Sequence, residues 1–206
     1  MSRTLSSSIS SGIVVFLVVV KIHLETERLM LREFTDNDAA LLGELEQDPD
    51  VMLYINGGAD TPMSEIVTHT LPIFLAYHKI GSEYGYWAAI DKRDGAFIGW
   101  FQFRLAPVGD DIEIGYCLKK SAWGKGYATE GCRTLINHGF TRLGVRRVVA
   151  TVVDGNVASI RVLIKSGLRF DSFVQEPRCG GLSARRFVMD ASDFDQLSHI
   201  AQTNDT

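Results

Sequence analysis

Ser121-Ala122-Trp123-Gly124-Lys125-Gly126-Tyr127-Ala128-Thr129 is the stretch on which the reading of this 206-residue chain turns. Before it runs Ile112 to Leu118, a strand-like apolar segment. After it, from Thr129 to Leu143, Cys132, Leu135, Ile136, Phe140 and Leu143 recur at helical spacing. A strand thus passes into a helix through two glycines and an alanine. Such a turn lets the backbone approach a ligand closely. The unpaired N–H groups of the helix start would face that ligand, and the helix dipole favours an anion there. A pyrophosphate suits such a place, although the same residues also make a tight connection that binds nothing. Two nucleotide motifs are excluded. The G-x-x-x-x-G-K-[ST] of a P-loop is absent. A dinucleotide fold needs a third glycine where Thr129 stands, and an acid about 20 residues on, where the chain reads Arg-Arg-Val-Val-Ala at 146–150.

Outward from the turn, the chain alternates strands and helices. Arg28 to Phe34 alternates like a strand. Thr35-Asp36-Asn37-Asp38 carries capping side chains for a helix over Ala39 to Gln47, which Asp48-Pro49-Asp50 should end. Thr61-Pro62 opens a second helix towards Lys79, with a kink expected at Pro72. Tyr86 to Ile90 and Phe97 to Arg104 read as strands joined by a turn at 91–95. Arg147 to Val153 is a β-branched strand, Asn156 caps a helix ending at Gly167, and Leu168 to Val174 and Arg185 to Met189 are the last strands. This order predicts an α/β (α+β) domain built on one mixed sheet covered by helices.

Composition narrows the function classes. Apolar residues make up 46% and charged residues 22%, which excludes a disordered or collagen-like chain. No apolar run approaches the roughly 20 residues that span a bilayer, so no membrane partner is expected. The net charge of −4 carries no global signature of nucleic-acid binding. That total conceals an asymmetry: residues 116–170 hold ten Lys/Arg against two Asp/Glu, and the remainder holds 11 against 23. Basic charge gathered around the glycine turn fits a local anion site. The cysteines Cys117, Cys132 and Cys179 are odd in number and form no C-x-x-C, which fits reduced thiols and a cytoplasmic location. The histidines, at 23, 69, 78, 138 and 199, show no metal-binding spacing, so no metal is expected.

Residues 1–22 read as an N-terminal extension, serine-rich and then apolar from Ile13 to Val20, either disordered or adding a strand. Residues 23–200 form the domain and 201–206 a tail. A signal peptide is disfavoured by the single charge at Arg3, by Lys21 directly after the apolar run, and by the lack of an A-x-A site.

Trp123-Gly124-Lys125-Gly126-Tyr127-Ala128-Thr129-Glu130 resembles the coenzyme A loop of the GCN5-related N-acetyltransferases (GNAT), and within them the RimJ/RimL-like branch. The general loop reads Q/R-x-x-G-x-G/A; Trp123 replaces its first residue, while Gly126 and Ala128 match. Leu24 to Phe34, Ile112 to Tyr116, Asn156-Val157-Ala158-Ser159 and Lys165-Ser166-Gly167-Leu168 extend the resemblance across roughly residues 24–190. It implies a GNAT fold: a single, mostly antiparallel mixed sheet of about six or seven strands, flanked by helices. It implies acetyl-CoA as co-substrate and transfer of the acetyl group to a primary amine, on a small molecule or a protein N-terminus. A homodimer is left open by the resemblance.

Such a transfer asks for a base, donors to the thioester oxyanion and an acid for the thiolate. Glu113 is the candidate base. The resemblance places the backbone N–H of Leu118 at the oxyanion. It places the amides of Trp123, Gly124, Lys125, Gly126, Tyr127 and Ala128 on the pyrophosphate, and Asn156 on the pantetheine arm. The tyrosine that many members carry two residues before the lysine of the last motif is Leu163 here. Ser159 and Tyr116 are the alternative acids. Tyr54 and Trp87 are candidate walls of the acceptor pocket. Without a dedicated acid, a non-catalytic acyl-CoA sensor of the same fold is the rival reading.

Overall fold

The computed structural model describes residues 20–80, 83–176 and 180–204; the N-terminal serine-rich and apolar stretch, Cys179 and residues 205–206 lie outside them. Eight strands form one sheet: β1 (Ile22–Glu25), β2 (Leu29–Arg32), β3 (Gly85–Asp91), β4 (Phe97–Leu105), β5 (Ile112–Leu118), β6 (Arg147–Val153), β7 (Arg169–Glu176) and β8 (Leu182–Asp190). Their spatial order is β1-β2-β3-β4-β5-β6-β8-β7, and only the β5–β6 pair is parallel. The sheet is therefore of the expected kind, with eight strands instead of six or seven. The extra strand is β1. Its four residues, Ile22-His23-Leu24-Glu25, alternate but are too few to read as a strand alone, and they become one by pairing back on β2, Leu24 against Leu31 and Glu25 against Met30.

Local chemistry starts and stops the helices. Thr35 and Asp38 form a capping box ahead of α1 (Ala39–Glu46). Asp48-Pro49-Asp50 does not merely end a helix but begins α2 (Pro49–Asn56): Asp48 Oδ1 accepts from the Asp50 N–H at 3.0 Å, and Pro49 occupies the first turn, where a missing N–H costs nothing. The kink expected at Pro72 takes another form. A short turn α3 (Met63–Glu65) leads into a π-turn over Ile66–Thr70, and Pro72 sits in the first turn of α4 (Leu71–Lys79). The widened turn absorbs the break that proline would otherwise impose. Three further helices, α5 (Tyr127–Arg142), α6 (Val157–Lys165) and α7 (Ala191–Asn204), complete the chain. Among the described residues no helix is long and apolar enough to cross a membrane.

Strand alternation sends successive side chains into two separate cores. Trp87, Phe101, Phe103 and Ile114 face one side and pack with Cys132, Leu135 and Ile136 of α5 and Leu163 of α6. Ala88, Ile90, Phe97 and Cys117 face the other and pack with Leu42 and Leu45 of α1, Met52 of α2 and Phe74 of α4. The α5 helix lies close against the sheet: a Cβ added at Gly131 would come within 2.3 Å of the Phe101 ring, and one at Gly139 within 2.4 Å of Phe103. Gly131→Ala should lower stability by about 1–3 kcal/mol through overpacking, against a helix-propensity gain of at most about 1 kcal/mol. Urea unfolding of the two proteins measures the difference, and a variant of equal or greater stability would show that α5 can ride away from the sheet.

Candidate active site

The site begins where two strands part. β5 and β6 share only two parallel rungs, Ile112 with Val148 and Glu113 with Val149. From Ile114 onward β5 keeps its antiparallel ladder to β4 as far as Leu118, while its other edge has no strand beside it. Lys119 N–H donates to Ile98 on β4 at 2.8 Å. Backbone groups alternate sides along a strand, so the N–H groups of Tyr116 and Leu118 face the gap. That gap opens into a cavity of about 800 Å³.

The cavity reaches both faces of the sheet. Glu113, Gln102 and Trp100 share the face that carries α2, which brings Asp50 and Tyr54 to the rim. Tyr116 and Leu118 belong to the face that carries α5 and α6, where residues 122–124 and 126–129 and Asn156, Ser159, Arg161 and Lys165 line the wall. The basic charge foreseen around the turn is therefore partly gathered here, as Arg161 and Lys165.

The glycine turn has the geometry that its composition required. Gly124 and Gly126 have φ of +71° and +85°, and Gly126 is the N-cap of α5. No side chain caps this helix, so the first-turn N–H groups are left to a ligand. Trp123 ties the turn to β5, its indole Nε1–H donating to the Leu118 carbonyl at 2.8 Å. Tyr127 is buried and donates its hydroxyl to Asp91 at 2.7 Å. Lys125 does not line the cavity; it borders a second recess with Arg28, Lys92 and Arg93.

Arg28 holds the turn from behind, a role that sequence reading did not assign to it. Its Nη1 donates to the Lys125 carbonyl at 2.9 Å, its Nε to Glu130 Oε2 at 2.7 Å, and its guanidinium lies 4.6 Å over the Tyr127 ring. Against the cost of burial, hydrogen bonds from Thr26 and Arg28 hold the Glu130 carboxyl below its usual range. The signal was present in the two motifs, Leu24 to Phe34 and Trp123 to Glu130, but only the fold joins them.

Glu113 is 5% exposed and lines the cavity. Its Oε2 accepts from Arg104 Nη2 at 2.6 Å and from Gln102 Nε2 at 3.1 Å. Neither partner was foreseen, although strand register sets Arg104 directly opposite Glu113 and Gln102 opposite Gly115. Trp100 was missed as well; it lines the cavity, and its indole N–H is buried with no hydrogen-bond partner.

The two candidate acids meet. Tyr116 Oη donates to Ser159 Oγ at 3.0 Å, joining β5 to α6 across the cavity wall. Burial pushes the Tyr116 phenol above its usual range, so it stays protonated. Asn156 caps α6, its Oδ1 accepting from the Ser159 N–H at 3.0 Å. Leu163, in the place of the usual tyrosine, is buried and also lines the cavity. Tyr54 stands on the rim, its hydroxyl donating to the Gly155 carbonyl at 3.0 Å. Trp87 does not reach the cavity: it is 1% exposed, with its ring stacked on His23 at 4.1 Å. Its strand position points it into the α5-side core, two strands away from the gap. Burial pushes the Cys117 and Cys132 thiols up, leaving neither as a nucleophile.

Residues 28–169 match the family model described as an acetyltransferase (GNAT) domain, so the chain belongs to the GNAT acetyltransferases. Among curated proteins, YkkB of Bacillus subtilis (strain 168), an uncharacterized protein, is 34% identical over 161 residues, 76% of this chain and 90% of its own. Among solved structures, RimL, a ribosomal L7/L12 alpha-N-protein acetyltransferase in complex with coenzyme A, superposes with a TM-score of 0.70 at 18% identity, covering 82% of this chain and 98% of that one. AAC(6')-Ib, in complex with paromomycin and acetyl-CoA, superposes with a TM-score of 0.68 at 24% identity, covering 82% and 97%. The protein is accordingly an acetyltransferase, with the fold that the resemblance implied.

Arg28→Ala should weaken coenzyme A binding by about tenfold, equivalent to ~1.4 kcal/mol, because the turn loses its rear support. Isothermal titration of the purified chain with coenzyme A measures this, and an unchanged affinity would mean that the turn keeps its shape without Arg28.

Proposed function

We propose that the protein acetylates a primary amine, on a small molecule or a protein N-terminus, by direct attack on acetyl-CoA. The observation that carries this reading is the gap between β5 and β6, which opens beside an uncapped helix N-terminus. The residues present suit the co-substrate. Left-handed glycines and the amides of residues 124–128 take the pyrophosphate, helped by Arg161 and Lys165; the Trp123 amide, expected to join them, instead donates to the Lys120 carbonyl at 3.1 Å. Asn156 lies along the path of the pantetheine arm. Acetyl-CoA supplies the activated acyl carbon.

Chemistry then falls to residues on the two faces of the sheet. The acceptor enters from the α2 side, past Tyr54, with Trp100 and Gln102 in the wall. An alkyl ammonium has a solution pKa near 10, so it must lose a proton before it can attack. Glu113 takes that proton, directly or through water, while Arg104 and Gln102 hold its carboxylate in place. The amine nitrogen bonds to the thioester carbon, and the Leu118 N–H stabilises the oxyanion that develops. When the C–S bond breaks, Ser159 Oγ, held by the Tyr116 hydroxyl, hydrogen-bonds the departing thiolate. The surplus proton shed by the attacking nitrogen as the amide forms passes through that hydroxyl to the sulfur, so the serine and the tyrosine both end protonated. The donor missing at Leu163 is thus replaced from β5, which favours an enzyme over a sensor.

Glu113→Gln should lower kcat by about 10²-fold at neutral pH while acetyl-CoA still binds. The loss should shrink at high pH, where the free amine becomes abundant. Thiol release, followed against pH for a panel of small amines and peptides with free N-termini, checks this; equal turnover at every pH would remove Glu113 from the role. In the same assay Tyr116→Phe should slow turnover by about tenfold or more without altering the Kd for coenzyme A. Tight binding of acetyl-CoA with no release to any acceptor would mark a sensor instead.

A further inference from the structure

A second cluster of chemically active side chains lies on the α5 side of the sheet near its β1 edge. His23 on β1 and His138 on α5 are 115 positions apart in sequence, yet their rings stand edge to face with centroids 5.4 Å apart. Glu83, in the turn before β3, reaches both: its Oε2 is 3.8 Å from His23 Nδ1 and 3.7 Å from His138 Nε2. One ligand atom from each of the three lies within 4.8 Å of the others. None of the three lines the cavity between β5 and β6.

These contacts are too long for hydrogen bonds. Among the described residues, His138 Nε2 is buried with no hydrogen-bond partner, and so is His23 Nε2. Buried polar atoms in folded proteins are ordinarily satisfied, so a nitrogen aimed at a carboxylate from beyond bonding distance calls for something between them. Packing fixes the His23 ring, which stacks on Trp87 with planes 7° apart. The Glu83 side chain, 57% exposed, is the most open of the three.

We propose that His23, Glu83 and His138 form a binding site for a divalent transition-metal ion, zinc above all. The donor set is two imidazoles and one carboxylate, the nitrogen-and-oxygen combination that zinc takes in tetrahedral sites with water as the fourth ligand. Magnesium and calcium prefer all-oxygen sites and are disfavoured here. Bonds of about 2.0–2.1 Å from each ligand to zinc would draw the three ligand atoms to roughly 3.3–3.5 Å of one another. The carboxylate contacts of 3.7 and 3.8 Å are already close to that spacing, so the remaining movement falls mainly to the approach of the two imidazoles. Lys21 adds an opposing charge near His23, but it is paired with Glu33 at 3.0 Å. A bound ion would join β1, the turn before β3 and α5, and would serve stability at a distance from the acyl-transfer site.

Zinc titrated into the tag-free full chain, after treatment with a chelator, tests this by calorimetry and thermal melting. One equivalent should bind with micromolar or tighter affinity, and the melting temperature should rise by a few degrees at saturating zinc. Cobalt in place of zinc should give the visible absorption of a tetrahedral site. Glu83→Gln and His138→Ala should each abolish the zinc-dependent rise while melting like the parent in chelator. That second readout keeps the test valid should either variant be less stable. Coenzyme A affinity should be the same with and without zinc. No saturable binding, or binding that persists unchanged in both variants, would overturn the site.

Discussion

The short parallel contact between β5 and β6 governs the molecule. Two rungs are enough to hold the strands in one sheet at Glu113, and too few to hold them together at Leu118. The divergence needs support on both sides. β4 holds β5 along its whole length, and β8 holds β6 along all seven of its residues. A parallel pair requires a crossover, and here the crossover is α5, whose N-terminus begins at the mouth of the opening. The helix that connects the strands therefore also supplies the amides beside the gap between them. Gly99 adds to the geometry. It sits at a bulge in β4 with φ of +134°, and a Cβ there would lie 2.1 Å from the Cys117 carbonyl. A bulge bends its strand, and this one lies opposite Leu118, where β5 leaves the sheet.

The turn at 123–128 is built by residues distant in sequence. Glycine supplies the left-handed backbone, but glycine alone leaves a turn loose. Arg28, Glu130, Asp91 and Tyr127 convert it into a fixed cradle through the contacts described above. This arrangement explains why the chain's N-terminal motif accompanies the glycine turn: β1 and β2 are joined by the turn that carries Arg28 and Thr26, and both side chains grip Glu130. Most of the other surface ion pairs contribute little individually. The Arg104–Glu113 pair differs, with both side chains largely buried, and removing either partner would leave an uncompensated charge inside the site.

Much of this was legible in the sequence because it rests on local rules. Strand alternation, the Asn156 cap and the glycine turn depend on neighbours within a few residues, and each lies where the sequence placed it. What was not legible depends on pairing. β1 is only four residues long, too short for its alternation to stand out without its pairing to β2. Asp48-Pro49-Asp50 obeys two rules, since the residues that stop one helix also start another. Trp87 illustrates the limit for aromatic residues: composition says that it is large and apolar, while only strand register tells a wall of the core from a wall of the cavity. The partners of Glu113 depend on β4–β5 register, and the proximity of His23 to His138 depends on three elements that no spacing rule connects.

On the proposed mechanism, the exchange at Leu163 lets the site keep a function while moving its residues. A tyrosine on α6 would have to extend into the cavity from the helix side. Here α6 contributes Leu163 and Ser159 to the cavity wall, and the phenol that meets Ser159 comes from β5 instead. Asn156 makes this economical: by capping α6 through the Ser159 N–H, it fixes the helix start and with it the hydroxyl that Tyr116 meets. Because the phenol proton is committed to Ser159 Oγ, the hydroxyl proton of Ser159 is released to point elsewhere, and the direction left to it is the cavity. A buried tyrosine that resists ionisation is a poor acid by itself. On the proposed mechanism it stands behind a serine, keeps its own proton and only orients the hydroxyl that meets the thiolate, so the burial that weakens Tyr116 as a direct acid suits it to this second position.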